Sequence, residues 1–140
     1  MEPAELTRAA LDRFVDDQVP FVRPLGITCE EIGRRSAVAR LQSDPRWMRP
    51  GNIICGGMLM TLADVAIYFA ILGQVGLRAM AVTNEKMSFL RPASGGDVLA
   101  GARVLKLGRR IAYGEIHLHT SDKPEALVAH ATSSYVLPVE

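Results

Sequence analysis

One acidic residue lies within a stretch of the chain that is otherwise almost wholly apolar. The stretch runs from Gly57 to Gln74, and the acid is Asp64. A helix that is hydrophobic on all sides is normally buried, and a buried carboxylate tends to have a raised pKa or a dedicated partner. Enzymes use such groups as general bases or nucleophiles, whereas a purely structural acid would bond a neighbouring backbone group. We therefore predict that Asp64 is a catalytic residue.

Two glycines, Gly56 and Gly57, stand at the start of this stretch. The first backbone N–H groups of a helix have no partner inside the helix, and glycine lets a ligand oxygen come close to them. Donors in this position suit the negative charge that develops on a carbonyl oxygen during acyl transfer. The glycines could instead serve close packing of the loop against a sheet. We predict an oxyanion-binding role for the Gly56 N–H group, with Gly57 next to the substrate.

Cys55 directly precedes the glycine pair. A thiol at a helix N-terminus can have a depressed pKa and act as a nucleophile. No histidine lies nearby in the sequence to activate this thiol, and cysteine is commonly a small buried apolar residue. We therefore predict that Cys55 belongs to the substrate-binding segment without forming a covalent intermediate.

The composition indicates one domain without a strong charge preference. The chain has 140 residues, a net charge of +1 from 16 Lys and Arg against 15 Asp and Glu, and two cysteines. This length fits a single domain over residues 1–140, and the balanced charge gives no general attraction for nucleic acid or an anionic membrane. Two cysteines are too few for a disulfide scaffold, and the acidic start does not resemble a signal peptide. We expect a cytoplasmic protein that binds neither nucleic acid nor a membrane.

The apolar stretch from Ile53 to Leu72 has about the length of a membrane span. It contains two glycines and an acid, lacks a basic flank just after it, and stands alone among amphipathic segments. These features argue against insertion into a membrane. We expect a helix that is buried in a protein core.

Hydrophobic periodicity predicts an α+β fold. An amphipathic helix is expected at about residues 3–18, and its apolar face would carry Leu6, Ala10, Phe14 and Val15. Two strands follow at residues 25–31 and 36–41, then a proline-rich loop at 44–51 and the apolar helix at 57–74. Four more strands are expected at residues 80–90, 97–107, 110–120 and 126–137. We expect the last four strands to form a meander within an antiparallel sheet that covers the helix. Because the helix is apolar all round, a second subunit is expected to complete its burial.

Glu115, His117 and His119 alternate along one predicted strand and therefore project from one face of the sheet. Two imidazoles and a carboxylate can form a transition-metal site, but neighbouring positions along a single strand surround an ion poorly. The residues between them are apolar, so the polar trio is expected on the outer face of the sheet or at a subunit contact. We expect no metal here. His130 has no comparable neighbour in the sequence.

The order of elements and three short motifs resemble the hotdog-fold acyl-CoA thioesterases, and most closely the phenylacetic acid degradation (PaaI) type. The motifs are the segment from Gly56-Gly57 to Leu62-Ala63-Asp64, the segment Phe89-Leu90-Arg91-Pro92-Ala93, and Gly108-Arg109. The similarity extends from about Leu25 to Val136. It implies a sheet wrapped around a central helix, and two subunits paired so that each active site lies at their interface.

The resemblance also implies roles for residues around the helix start. Asp64 matches the catalytic acid of the family, and Gly56 matches the glycine whose N–H group polarises the thioester carbonyl. Cys55 stands where the family usually has a histidine. Arg49 stands where the family usually has an asparagine, although Asn52 is close by in the same loop and is a candidate substrate contact.

Three further residues take roles from the same resemblance. In the family, a hydroxyl side chain from the partner's strand often helps to hold the attacking water. Counting back from Phe89 gives Val82 at this position, so Thr83 takes the role only if the strand shifts or bulges. Coenzyme A carries phosphate groups that the planar guanidinium of arginine suits, so Arg91 and Arg109 are candidate phosphate contacts, although arginines in turns are often simply solvated.

The resemblance implies a homo-oligomer, with a dimer of dimers expected, that hydrolyses a small aryl- or medium-chain acyl-CoA. Coenzyme A is then part of the substrate, and no other cofactor is expected. An acyl-CoA-binding hotdog protein without turnover is the main alternative, because the usual histidine is absent. A hotdog hydratase or dehydratase is a second alternative, although no histidine stands where such chemistry needs its base.

Overall fold

The computed structural model describes residues 6–138 and contains two α-helices and a six-stranded antiparallel sheet. The helices are α1 (Arg8–Gln18) and α2 (Gly56–Val75). The strands are β1 (Ile27–Gly33), β2 (Ser36–Leu41), β3 (Met48–Arg49), β4 (Ile53–Ile54), β5 (Ala81–Phe89), β6 (Val98–Leu107), β7 (Ile111–Thr120) and β8 (Ala129–Val136). The main sheet has the order β1-β2-β6-β7-β8-β5, while β3 and β4 form a separate ribbon. The α+β prediction is confirmed.

β5 does not lie beside β6, so the predicted four-strand meander is wrong. β6, β7 and β8 form a three-strand meander, but β6 also pairs with β2, and β5 pairs with the far side of β8. The connection at residues 90–97 is longer than a tight hairpin loop and crosses the end of the sheet. As a consequence, β5 is an edge strand of the main sheet.

α2 packs against one face of the sheet, and its largest fully buried side chains include Leu62, Ile67 and Phe69. Inward and outward positions alternate along the sheet strands, as period-two patterning predicts. Many inward residues are small, which lets the helix come close to the sheet. The buried alanines of the sheet are Ala37, Ala39, Ala100, Ala102, Ala112, Ala129 and Ala131.

α1 begins later than the predicted start at residue 3. The Thr7 hydroxyl accepts a hydrogen bond from the Ala10 backbone N–H at 3.1 Å and caps the helix, so the first helical residue is Arg8. Residues 3–5 of the predicted helix lie outside the described part of the chain. The buried residues of α1 are Leu11 and Val15.

The loop predicted before α2 contains more regular structure than expected. β3 and β4 pair as two-residue strands around a turn that includes Asn52, whose φ of 58° is in the left-handed region. The Cys55 N–H donates to the Trp47 carbonyl at 2.9 Å, and the Ile54 N–H donates to the Ala93 carbonyl at 3.0 Å. These bonds fix the start of α2 against the neighbouring segments.

α2 keeps a stripe of residues that its own sheet does not fully cover. The stripe follows helical spacing and includes Gly57, Met60, Thr61, Asp64 and Tyr68. α2 is long and apolar enough to cross a membrane, but 61% of its most apolar window is buried inside the fold, as in the core helix of a globular domain. The acid therefore faces the least covered side of a core helix.

Candidate active site

Asp64 lies near the middle of α2, opposite β8. The Tyr135 hydroxyl donates a short hydrogen bond to the Asp64 carboxylate, and the Tyr135 ring stacks on Tyr68 with 5.8 Å between ring centroids. Burial raises the pKa of Asp64, although the hydrogen bond from Tyr135 opposes this shift by stabilising the charged form. Asp64 is therefore an oriented carboxylate with increased basicity.

Glu85 of β5 is a second carboxyl group close enough to Asp64 to feel its charge. Its side chain is partly buried, and among the described residues its Oε1 atom has no hydrogen-bond partner. Burial, and then the charge of Asp64, raise the pKa of Glu85 to about 7. The prediction from sequence missed this residue, although Met87 follows at period two and puts Glu85 on the same strand face as an apolar side chain.

Tyr135 was also missed by the prediction from sequence. It occupies an inward position of β8, in the same alternation as Ala129, Ala131 and Ser133. This alternation could have placed the ring against α2, but Tyr135 is 71 residues from Asp64 in the chain. No local pattern links the two residues.

An open cavity of about 330 Å³ leads to Asp64. Apolar side chains form most of its wall, among them Val22, Met80 and Val82, while Asp64 and Tyr135 supply polar groups. A mostly apolar cavity with a few convergent polar groups is typical of small-molecule binding sites.

A second open cavity, of about 480 Å³, lies at the N-terminus of α2 and is lined in part by Gly56, Leu59 and Phe89. A Cβ atom at position 56 would lie 3.3 Å from the Phe89 ring, so glycine leaves space at this wall. Cys55 is the N-cap residue, and its side chain makes no capping hydrogen bond. The adjacent Gly57 is exposed, with no atom within 4 Å of its would-be Cβ. The first helical N–H groups therefore lie beside an apolar cavity.

The other predicted binding residues lie at several places. Arg91 lines the Gly56 cavity, where its Nη1 group donates to the Leu127 carbonyl at 2.6 Å. Arg49 also lines this cavity, whereas Asn52 is exposed in the turn and lines neither cavity. Arg109 is exposed in the β6–β7 turn and lines neither cavity. Substrate contacts by Asn52 and Arg109 stay predictions.

Thr83 lies at a bulge in β5. Val82 pairs with Tyr135 and Asn84 pairs with Ser134, so Thr83 is the extra residue between two regular pairs. Its hydroxyl donates to the Ser134 carbonyl at 3.3 Å, and the side chain is exposed. The bulge is the irregularity that the catalytic role of Thr83 requires, and that role stays a prediction.

The predicted polar trio lies on the face of the sheet opposite α2, because the residues between its members are buried in the core. The structure does not group all three members. Glu115 and His117 of β7 come together with His130 of β8, while His119 lies outside this cluster. The sheet therefore separates this cluster from α2 and its Asp64.

Gly56 and Asp64 cannot act on one substrate carbonyl within a single subunit. They are eight residues apart in one helix, which corresponds to about 12 Å along the helix axis. Their cavities share no lining residue, and they lie at opposite ends of β5, with Val82 in the Asp64 cavity and Phe89 in the Gly56 cavity. A reaction that uses both groups therefore needs two subunits.

Comparison with known proteins identifies the fold family. The profile of the Thioesterase superfamily matches residues 51–127. YigI of Salmonella typhimurium, a medium/long-chain acyl-CoA thioesterase, is 25% identical over 137 residues that cover 85% of this chain and 86% of YigI. A provisionally named thioesterase of Silicibacter sp. TM1040 superposes with a TM-score of 0.87 at 30% identity, covering 97% of this chain and 94% of that structure.

A variant of the phenylacetic acid degradation protein PaaI from Thermus thermophilus has the same fold. It superposes with a TM-score of 0.74 at 24% identity, covering 85% of this chain and 99% of PaaI. The superfamily profile spans more than half of the chain and includes both Gly56 and Asp64. The chain therefore belongs to the Thioesterase superfamily and has its hotdog fold.

Proposed function

We propose that the protein is an acyl-CoA thioesterase of the PaaI type, acting on a small aryl- or medium-chain acyl-CoA. One observation carries this proposal: Asp64, oriented by Tyr135 and raised in pKa by burial, lies at an open and mostly apolar cavity. YigI, which is similar over most of its length, is named as an acyl-CoA thioesterase. The geometry of Asp64 supports a reaction that depends on this acid, and the similarity to YigI supports hydrolysis of a thioester.

Each active site is shared by two subunits in this proposal. β5 has one unpaired edge, and its Val82 and Phe89 side chains are 44% and 52% exposed. If two copies of β5 pair antiparallel around a two-fold axis between Glu85 and Lys86, near the middle of the strand, Val82 of one copy faces Phe89 of the other. This pairing brings the Asp64 cavity of one subunit to the Gly56 cavity of its partner. A dimer of dimers is the expected full assembly.

The mechanism follows from the two groups. The Gly56 N–H donates to the thioester oxygen, and the positive end of the helix dipole favours the oxyanion that develops there. Asp64 of the opposite subunit takes a proton from water as the water oxygen bonds to the carbonyl carbon. The tetrahedral intermediate then expels the coenzyme A thiolate, which accepts the proton from Asp64. Direct attack by the Asp64 carboxylate, through an anhydride that water hydrolyses, is the alternative route.

Residues around the Gly56 cavity would bind the two ends of the substrate. Leu59 and Phe89 offer apolar contacts to the acyl group. Arg49 and Arg91 line the same cavity and offer guanidinium groups to the phosphates of coenzyme A. Cys55 would contact the substrate at the helix start without bonding to it.

The test of this function is a panel of aliphatic and aryl acyl-CoA esters assayed for release of free thiol. We expect thiol release with at least one class of ester, and release that is slower by at least about a hundredfold in a variant that lacks the acid. Tight binding of acyl-CoA without thiol release would instead support the non-catalytic alternative.

Asp64→Asn keeps the shape of the side chain and removes its charge. We expect kcat to fall by at least about a hundredfold, the scale of losing a general base. Folding should be retained, because the amide avoids the desolvation of a buried carboxylate. The matched control is Asp17→Asn, at an exposed position of α1, which should keep full activity. An Asp64→Asn enzyme with near-normal turnover would rule out the assignment.

A further inference from the structure

A cluster of three side chains stands apart from the proposed active site, on the outer face of the sheet. His117 of β7 and His130 of β8 are direct partners in the strand pairing, and their rings meet edge to face with 5.0 Å between centroids. Glu115 lies two residues before His117 and therefore on the same face. The cross-strand partner supplies what a single strand lacks, a ligand that approaches from a second direction.

The distances within this cluster match those of metal ligands. Glu115 Oε2 lies 3.1 Å from His130 Nε2 and 3.6 Å from His117 Nε2, and the three ligand atoms all lie within 4.8 Å of one another. An ion about 2.1 Å from each ligand requires ligand atoms that are about 3.0 to 3.4 Å apart. Two separations are therefore already close to the required value. The third separation joins the ligand nitrogens of His117 and His130, and the His117 side chain, which is 54% exposed, has the freedom to adjust it.

We infer that Glu115, His117 and His130 form a binding site for a divalent transition-metal ion, with Zn²⁺ as the representative ion. Two imidazoles and one carboxylate suit Zn²⁺, Co²⁺ or Ni²⁺, whereas Mg²⁺ and Ca²⁺ prefer oxygen ligands. Solvent would complete the coordination on the exposed side. The site lies on the face opposite Asp64, so it adds a binding function that is independent of thioester hydrolysis.

The surroundings of the cluster both support and oppose binding. The backbone of β7 holds Glu115 and His117 in place, because Ile116, the residue between them, is buried in the core. Arg103 of β6 pairs with Glu115 from the other side and brings a positive charge near the site. Replacing Arg103 by Gln should therefore tighten binding.

The experiment is calorimetric titration of the EDTA-treated full chain with ZnCl₂ at pH 7.5. We expect one Zn²⁺ per subunit, reversed by EDTA. Loss of one ligand, in His130→Ala or Glu115→Gln, should weaken binding by at least about tenfold. The matched control is His119→Ala, which removes a histidine from the same strand and the same face but outside the cluster.

Visible absorption of bound Co²⁺ gives a second readout of the coordinating groups. A signal that the His117→Ala and His130→Ala variants lose and the His119→Ala variant keeps supports the site. No Zn²⁺ binding to a folded protein, or equal weakening by His119→Ala and His130→Ala, overturns it. Circular dichroism of each variant identifies any that fails to fold, and His130→Gln then replaces His130→Ala.

Discussion

Two carboxyl groups and a phenol interact between α2 and the sheet, and their charges depend on one another. The Tyr135 hydrogen bond favours the ionised form of Asp64, while the charge of Asp64 opposes ionisation of both Glu85 and Tyr135. A proton on Glu85 therefore reduces repulsion around an ionised Asp64. At the residue scale, the Tyr135 phenol stabilises the anionic form of the candidate base by a hydrogen bond, and the neighbouring Glu85 opposes that form less when it is uncharged.

Glu85→Gln tests this electrostatic arrangement through stability. The pKa of Glu85 rises from 4.5 to about 7 in the folded protein, so the folded state binds more protons than the unfolded state between these values. The contribution of Glu85 to stability is thus fully present below pH 4.5 and is lost as the pH rises towards 7. Gln cannot ionise, so at pH 8 the free energy of unfolding of the variant should be larger than that of the wild type. We expect a difference of about 1 to 2 kcal/mol, which is less than the full pKa shift implies because solvent partly screens the side chain.

Urea unfolding of Glu85→Gln and wild type at pH 4.5 and pH 8 provides the measurement. The difference between the two proteins should be small at the lower pH and should appear at the higher one. Glu125→Gln, which changes an exposed carboxylate in a loop, is the control and should show no such dependence. A Glu85→Gln protein that is less stable than wild type at pH 8 contradicts the arrangement.

Cys55→Ser separates a packing role from a nucleophilic one. We expect most of the thioesterase activity to remain, whereas an enzyme with a cysteine nucleophile would be almost silenced. Stability should not fall, because Cys55 is the N-cap residue of α2 without a capping bond, and serine is a favourable N-cap. Mass spectrometry after rapid quenching with substrate is the independent check, since an acyl adduct on Cys55 would overturn the proposed mechanism.

The candidate site was predictable from sequence where its residues carry a local signal. Asp64 stands out as an acid in an apolar helix, and Gly56 stands out at the start of that helix. Glu85 and Tyr135 carry no comparable signal, because their meaning comes from contacts with a helix that is distant in the chain. Sequence periodicity gives the face of a strand on which a residue lies, but not which element will cover that face.

At the scale of elements, close contact between α2 and the sheet depends on small residues. Gly114 of β7 is the tightest point. A Cβ atom there would lie 2.5 Å from the Arg103 carbonyl oxygen and would also overlap the Ile67 side chain of α2. Since the first of these atoms belongs to the backbone of a paired strand, it cannot move away without disturbing the sheet.

Gly114→Ala should therefore destabilise the fold by about 1 to 3 kcal/mol, the range for overpacking a core. Gly101→Ala in β6 is the matched control, because the nearest atom to its would-be Cβ is 3.9 Å away, an ordinary contact. The control should be neutral or slightly stabilising, by up to about 1 kcal/mol. Thermal and urea unfolding of the two variants provide the comparison. Equal stability of both would mean that the helix does not pack as closely as the structure has it.

Most elements were predictable from sequence to within a few residues at their ends, because hydrophobic periodicity follows helix and strand geometry closely. The position of β5 was not. A run of strands joined by short loops favours a meander, but the segment at residues 90–97 is long enough to cross the sheet end. Periodicity also missed the β3–β4 ribbon, since two-residue strands are too short to show a period.

At the scale of the whole molecule, one subunit holds two half-sites that cannot meet. The Gly56 donor and the Asp64 carboxylate are about 12 Å apart along a rigid helix, and the unpaired edge of β5 runs between their cavities. A two-fold axis near the middle of β5 would turn these half-sites into two equivalent complete sites. In this arrangement, catalysis requires that two subunits assemble.

A mixed oligomer tests this shared site directly. Gly56→Pro deletes the proposed N–H donor while proline remains acceptable at the first helical position. Asp64→Asn removes the acid. When the two inactive variants pair, one site receives both lesions and the other receives neither. Random pairing should therefore restore about a quarter of wild-type activity, because half of the dimers are mixed and each has one intact site.

Gly56→Ala is the matched control for this experiment. It adds the same Cβ beside the Phe89 ring but keeps the N–H group, so it should retain far more activity than Gly56→Pro. The mixed dimers are counted by native mass spectrometry after co-expression. Restored activity that scales with the mixed fraction means that each site draws on two subunits. If mixed dimers form and activity stays absent, or if light scattering finds an active monomer, Gly56 and Asp64 do not act together across an interface.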